Sequence, residues 1–199
     1  MSAACRHATA ADLPAVVAAL VAGFREDPLY VWLYPDAAER PARLRETFEL
    51  ICDLAMPHGH LYTNAERSAA AAWTTPDVAL VDDVGGERFL AMIERHVGDR
   101  VHDVVAGMAQ TEAERPAAPH FALHSLAVDA AVQGRGVGVA LLAPVLARCD
   151  EDAIPAHLTS SAARNVPFYE RLGFAVAAEV ELPGGGPVMR TMIRPPSSG

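Results

Sequence analysis

Apolar positions recur along this chain at helical and strand periods in turn. Leu13, Val16, Val17, Leu20, Val21 and Phe24 fall on one face of a helix. Thr9 stands where an N-cap would, with Asp12 as the acid three positions on. Residues 6–8 suit a short strand before it, and Asp27-Pro28 breaks the helix behind it. Tyr30, Trp32, Leu33 and Tyr34 form an aromatic patch closed by Pro35-Asp36. The pattern then predicts a helix over 43–56, stopped by Pro57-His58-Gly59, and strands over 61–63 and 69–74 about a turn near Asn64. The second strand is Ala-rich, and Ala is a weak strand former.

Residues 82–86 read as a loop, 87–96 and 101–114 as helices, and 116–119 as a break. A strand over 121–128 leads into a glycine-rich loop and a helix over 136–149. A short strand at 156–160 and a helix at 165–172 follow, with Gly173 as the helix stop. Strands at 174–182 and 188–194 about Gly184-Gly185-Gly186 make a hairpin. The tail 195–199 is expected to be disordered. No internal repeat is visible. Strands with helices between them and a closing hairpin give a mixed α/β sheet in a single domain spanning 1–199.

Composition narrows the class. With 199 residues, 51% hydrophobic and 21% charged, the chain suits one soluble core. No apolar run is long enough to span a bilayer and no secretory signal is evident. The net charge of −9 argues against a nucleic-acid surface. Cys5, Cys52 and Cys149 are sparse and lack metal or redox spacing, which suits a reducing cytoplasm. The His58-Gly59-His60 pair has no nearby cysteine or carboxylate cluster and reads as a turn, so no metal site is expected.

The chemistry concentrates in Val132-Gln133-Gly134-Arg135-Gly136-Val137-Gly138-Val139. A glycine loop that opens a helix after a strand presents backbone N–H groups at a positive helix end, which suits phosphate. A dinucleotide fingerprint starting at Gly134 would need glycine at 139, where Val139 stands, and a P-loop would need Gly-Lys-Ser/Thr. The spacing that does fit, Gln133-x-x-Gly136-x-Gly138 after Leu126-Ala127-Val128, resembles the acyl-CoA loop of the GNAT superfamily of N-acetyltransferases. Asn165-Val166-Pro167-Phe168-Tyr169-Glu170-Arg171-Leu172-Gly173-Phe174 resembles that family's second signature. The resemblance covers roughly residues 119–194, and the first half of the chain matches only loosely.

The resemblance implies a central, mostly antiparallel sheet flanked by helices and splayed beside the loop. It implies acetyl-CoA as co-substrate, held by Leu126, Ala127, Val128, Gln133, Gly134, Arg135, Gly136, Val137, Gly138, Asn165 and Phe168, with Arg135 and Arg164 adding positive charge. Splaying would leave the backbone of Leu126 to Val128 unpaired on one side, where the pantetheine amides could add as a pseudo-strand. Tyr169 matches the family's tyrosine that faces the CoA sulfur and gives the leaving thiolate a proton.

For the base, strict alternation would put His120, Ala122, His124, Leu126 and Val128 on one face. His124 matches the histidine of arylalkylamine-type members. Many other members carry a glutamate where this chain has Ala122, and close relatives often have one where Thr159 and Ser160 stand. His124, His120 and a water relay all remain open as the proton acceptor. Phe24, Tyr30, Trp32 and Tyr34, with Trp73, could roof an acceptor pocket in which Asp27 holds an amine.

The reading is therefore an N-acetyltransferase that moves an acetyl group from acetyl-CoA to a primary amine by direct attack in a ternary complex, without a metal. A small-molecule amine is favoured over a protein as the acceptor. A cytoplasmic location, no nucleic-acid or membrane partner, and a homodimer through the C-terminal hairpin are expected. The alternative is a non-catalytic acyl-CoA-binding or sensing module. The acceptor's identity and the acyl preference are not legible in the residues.

Overall fold

The computed structural model describes residues 5–78 and 83–197. In chain order the elements are β1 (Cys5–His7), α1 (Leu13–Phe24), α2 (Pro28–Leu33), α3 (Arg40–Ala55), β2 (Leu61–Asn64), β3 (Ala69–Thr74), α4 (Asp83–Val97) and α5 (Val101–Ala113). They continue as β4 (Phe121–Val128), α6 (Val137–Glu151), β5 (Ala156–Ser160), α7 (Val166–Glu170), β6 (Ala175–Glu181) and β7 (Val188–Arg194). The strands form one sheet in the order β1-β2-β3-β4-β5-β7-β6. Only β4 and β5 run parallel; every other neighbouring pair is antiparallel.

Helices cover both faces and build two cores. On one face Val16, Leu20, Leu44 and Phe48 pack with Ala70, Ala72 and Ala127 of the sheet. On the other Leu141, Leu142 and Val145 of α6 pack with Ala69, Ala71, Trp73, Leu123 and Leu158. This explains the Ala-rich strand: β3 is buried on both sides along its whole length. Small side chains let helices approach from above and below, and burial outweighs intrinsic propensity. The approach is close where α1 crosses β4. A Cβ at Gly23 would lie 2.8 Å from the Cβ of Ala127.

β4 and β5 pair only over Phe121–Leu123 and Ala156–Leu158. Beyond that, β4 stays with β3 as far as Val128, and β5 stays with β7 through Ser160. The sheet thus opens into two halves, as the resemblance implied. The register on the β3 side shows where the parting begins. Ala72 pairs with Ser125 and Trp73 with Leu123, so His124 is an extra residue, a bulge.

The bulge corrects the alternation expected from sequence. Phe121 and Leu123 face the α6 core, and so do Leu126 and Val128. The pleat has slipped by one, so His120 and Ala122 do not share a face with Leu126 and Val128. A second correction concerns residues 82–86. Asp83 already begins α4, so the two glycines lie in a helical first turn; Asp82 lies outside the described residues. Burial of Met92, Ile93 and Val97 against α3 offsets the cost of those glycines. Of the expected disordered tail, Ser197 is held: its N–H donates to Asp150 Oδ1 at 2.7 Å. Ser198 and Gly199 lie outside the described residues. Among the described residues, no helix is long and apolar enough to cross a membrane.

Two carboxylates tie distant segments together. Asp12, almost fully buried, accepts from Arg6, Thr9 and Arg67. Asp150, at the end of α6, takes both guanidinium nitrogens of Arg194 at 2.7 and 2.8 Å. Arg194 also donates to Leu172 O, which pins the turn after α7. The Arg6 bond is the largest cause of Asp12's lowered pKa; the Arg194 bond lowers that of Asp150 to about 2. A depressed carboxylate pKa contributes stability that is complete above the unfolded-chain value near 4 and is lost as pH falls through the folded value. The melting temperature should therefore fall most steeply below about pH 4. Asp150→Asn should flatten part of that limb, and an unchanged acid limb in this variant would show that the clasp is not what titrates.

Candidate active site

The glycine loop does locally what its residues dictate. Asp129 ends β4 and caps a single 3-10 turn, its Oδ1 accepting from Ala131 N at 2.9 Å. Gln133 Nε2 turns back and donates to Val128 O at 3.0 Å, fastening the loop to the strand end. Gly136 has φ +77° at the N-cap of α6, a conformation only glycine takes without strain. The first N–H groups of α6 follow, without intrahelical partners. Gly138 is required for space. A Cβ there would lie 3.3 Å from Phe168 Cζ and 3.5 Å from Val128 Cγ2.

These features border a cleft of about 520 Å³ between the parted strands, α1 and α7. Every residue of the expected cofactor set lines it except Arg135, which stands exposed beside it. Arg164 and Arg171 add two cations to its walls. Asn165 lines it without making a side-chain capping bond to α7, so its amide is not consumed there. The helix end and the free edge of β4 together fit a phosphorylated, amide-bearing arm.

A smaller chamber of about 80 Å³ opens from the splay. Phe24, Asp27, Leu126, Asn165 and Tyr169 line both spaces, whereas His124, Tyr30, Leu158, Ser161 and Met189 belong to the chamber. Tyr169 is therefore on the wall where the two spaces meet. Phe168 and Phe174 hold its ring edge-on at 5.1 and 5.9 Å. Its hydroxyl has no hydrogen-bond partner among the described residues. Burial, then the nearby Asp27, push its pKa up, which keeps the phenol protonated.

His124 faces the chamber as the bulged residue, with Nε2 3.0 Å from Thr74 Oγ1. Crowding of the ring, then Arg115, His120 and His60, push its pKa down to about 4. Since the residue as a whole is exposed, solvent moderates the crowding effect and the neighbouring positive charges are the firmer cause. His120 does not line the chamber. Its Nδ1 lies 2.9 Å from Ala118 O, and its Nε2 lies 3.4 Å from Arg115 Nη2.

Asp27 is the only carboxylate lining either space among the described residues. It is 7% exposed. Its Oδ1 caps α2 by accepting from Leu29 N at 3.0 Å, and also accepts from Ser161 Oγ at 2.6 Å. Burial raises its pKa; the bonds from Ser161 and Leu29, and the charge of Arg164, act the other way. Arg40 and Arg100 fix the segment around α2, donating to the carbonyls of Tyr34, Arg25, Trp32 and Leu33.

Of the aromatic group, only Phe24 and Tyr30 reach the chamber. Tyr34 is buried against Thr47, Trp32 packs near Gly107 and Gly186, and Trp73 lies in the opposite core. Ser161 was not legible beforehand. Nothing in the local sequence links it to a carboxylate 134 positions away.

Residues 69–192, more than half of the chain, match the family model described as an acetyltransferase (GNAT) domain. An uncharacterised N-acetyltransferase of Schizosaccharomyces pombe is 24% identical over 198 residues, covering 90% of this chain and 77% of its own length. A crystal structure of histone acetyltransferase HPA2 and related acetyltransferase from Corynebacterium glutamicum superposes with a TM-score of 0.70 at 24% identity, covering 98% of this chain and 97% of that one. Drosophila melanogaster polyamine N-acetyltransferase gives 0.59 at 16%, covering 96% and 98%. At these identities the structural likeness shows the fold.

Asp27 makes the site's stability testable. A carboxylate with a raised folded pKa loses folding stability as pH climbs past the unfolded value near 4. Asp27→Asn keeps an oxygen for Leu29 and Ser161 while removing the buried charge. Its melting temperature at pH 7 is expected to match or exceed that of the parent, and a clear drop would mean that the charge itself holds the α1–α2 corner.

Proposed function

The chain belongs to the GNAT acetyltransferase family and is an enzyme, and from that premise we propose that it transfers an acetyl group from acetyl-CoA to a primary amine of a small molecule, by direct attack in a ternary complex. One observation carries this reading. The cleft beside the glycine loop and the chamber holding Asp27 and His124 meet at Tyr169. A cofactor's reactive end and an acceptor can therefore approach each other there from opposite sides.

Each residue then has a task. The N–H groups after Gly136 receive the pyrophosphate, helped by Arg164 and Arg171. The edge of Leu126 to Val128 and the amide of Asn165 take the pantetheine arm. Backbone N–H near Val128 polarises the thioester carbonyl and stabilises the oxyanion. Asp27 draws the ammonium form of the acceptor into the chamber. His124 takes the proton that the amine must lose, directly or through water. The amine nitrogen bonds to the carbonyl carbon, the carbon–sulfur bond breaks, and Tyr169 gives the thiolate its proton. A small acceptor is favoured by the chamber's size and by its single carboxylate. Drosophila melanogaster polyamine N-acetyltransferase, which forms N-acetylagmatine, is an instance of that class on this fold.

Acetyl-CoA at about 100 times its dissociation constant should raise unfolding free energy by about 2.7 kcal/mol, with NAD and ATP as negative controls. No rise would sink the reading. Tyr169→Phe should keep that rise while lowering kcat for an accepted amine about a hundredfold, read as free thiol released. If Tyr169→Phe turns over normally, the phenol is not the acid. If no amine in a broad panel releases thiol although acetyl-CoA binds, the small-amine acceptor is ruled out.

A further inference from the structure

His124 is the residue of β4 without an opposite number on β3, since the register passes from Ser125 to Leu123 across one step of the neighbour. A bulge of this kind re-aims the side chain it carries. Here the ring is brought to Thr74, the last residue of β3, whose Oγ1 lies 3.0 Å from Nε2. Thr74 is 3% exposed, and its hydroxyl has no other partner among the described residues.

The groups around the ring leave Thr74 alone in this task. Arg115 acts on His124 from beyond α5, His120 from the head of β4 and His60 from just before β2. His157 faces it from β5, buried with both ring nitrogens unpartnered. Asp27 lines the chamber from the α1–α2 corner, but among the described residues no carboxylate bonds the imidazole. A histidine that takes a proton at one nitrogen has its tautomer set by the bond at the other. Among the described residues, the only such bond is the one to Thr74.

We propose that Thr74 is a positioning residue that holds His124 in the tautomer with its proton on Nε2, donated to Thr74 Oγ1, so that Nδ1 presents its lone pair to the acceptor amine. The inference rests on the reading of His124 as the base. The protons balance. The neutral ring carries one N–H, on Nε2; accepting the amine's proton at Nδ1 gives an imidazolium with both nitrogens protonated. The Nε2–H bond to Thr74 persists and strengthens because its donor is then charged. In the opposite arrangement Thr74 donates to Nε2, the ring's hydrogen sits on Nδ1, and nothing faces the amine that can accept.

Nitrogen-15 NMR of histidine-labelled protein at neutral pH distinguishes the tautomers. The wild type should report His124 as Nε2–H, Thr74→Ser should retain that signature, and Thr74→Val should give a mixture. In turnover, Thr74→Val should lower kcat about tenfold with both KM values within about twofold, while Thr74→Ser stays near wild type. Added to His124→Gln, Thr74→Val should cost nothing more. An Nδ1–H signature in the wild type overturns the assignment whatever the variants do. So does Thr74→Val at wild-type kcat while His124→Gln is slow, and in that case the base reading stands. His124→Gln at wild-type kcat overturns the base reading, and the role of Thr74 with it.

Discussion

Everything that makes this sheet a site follows from one surplus residue in β4. After three parallel pairs with β5, β4 takes in His124 as a bulge, and the two strands go separate ways. A bulge bends its strand and tightens the local twist, and a bent β4 can no longer follow β5. The edge it exposes is bounded by α1, whose Gly23 sits against Ala127, and by the start of α6, where Gly138 leaves room beside Phe168. Two halves of one sheet become the walls of a cleft. The helix end that suits phosphate borders that cleft, and the bulged histidine lines the chamber that opens from it.

The ionisable groups owe their character to the same opening. Asp27 is carried into the chamber at the corner between α1 and α2, where burial favours its neutral form while Ser161 and Leu29 bond its carboxylate. Burial and the nearby Arg115 keep His124 uncharged. Tyr169, walled in by Phe168 and Phe174 and facing Asp27, keeps its proton. A carboxylate, a neutral imidazole and a protonated phenol around one space form a set with distinct acid and base capacities. The net charge of −9 says nothing of this, because the arginines at the cleft are a local feature.

Much of the fold was legible because periodicity and punctuation agree with each other. The strand over Phe121–Val128, the helix after Gly136, the stop at Gly173 and the final hairpin all lie where the residues point. The misreadings share a cause. Residues 82–86 look like a loop because of Gly85-Gly86, yet the apolar face that follows carries the helix back to Asp83. Trp32, Tyr34 and Trp73 look like pocket material because they are aromatic, yet they pack into the cores on the two faces of the sheet. Local composition cannot say which neighbour a side chain will meet.

What the residues determined by themselves was local: the order and type of most elements, that a glycine loop opens α6, and that Asn165 heads a short helix that carries Tyr169. Those outcomes depend on backbone preference and on contacts a few positions apart. Tertiary structure alone decided the slip of the pleat at His124, the bond between Ser161 and Asp27, and the bond between Thr74 and His124. Each joins residues 50 or more positions apart or depends on the register of a neighbouring strand. Such a pairing appears only once the chain has closed on itself.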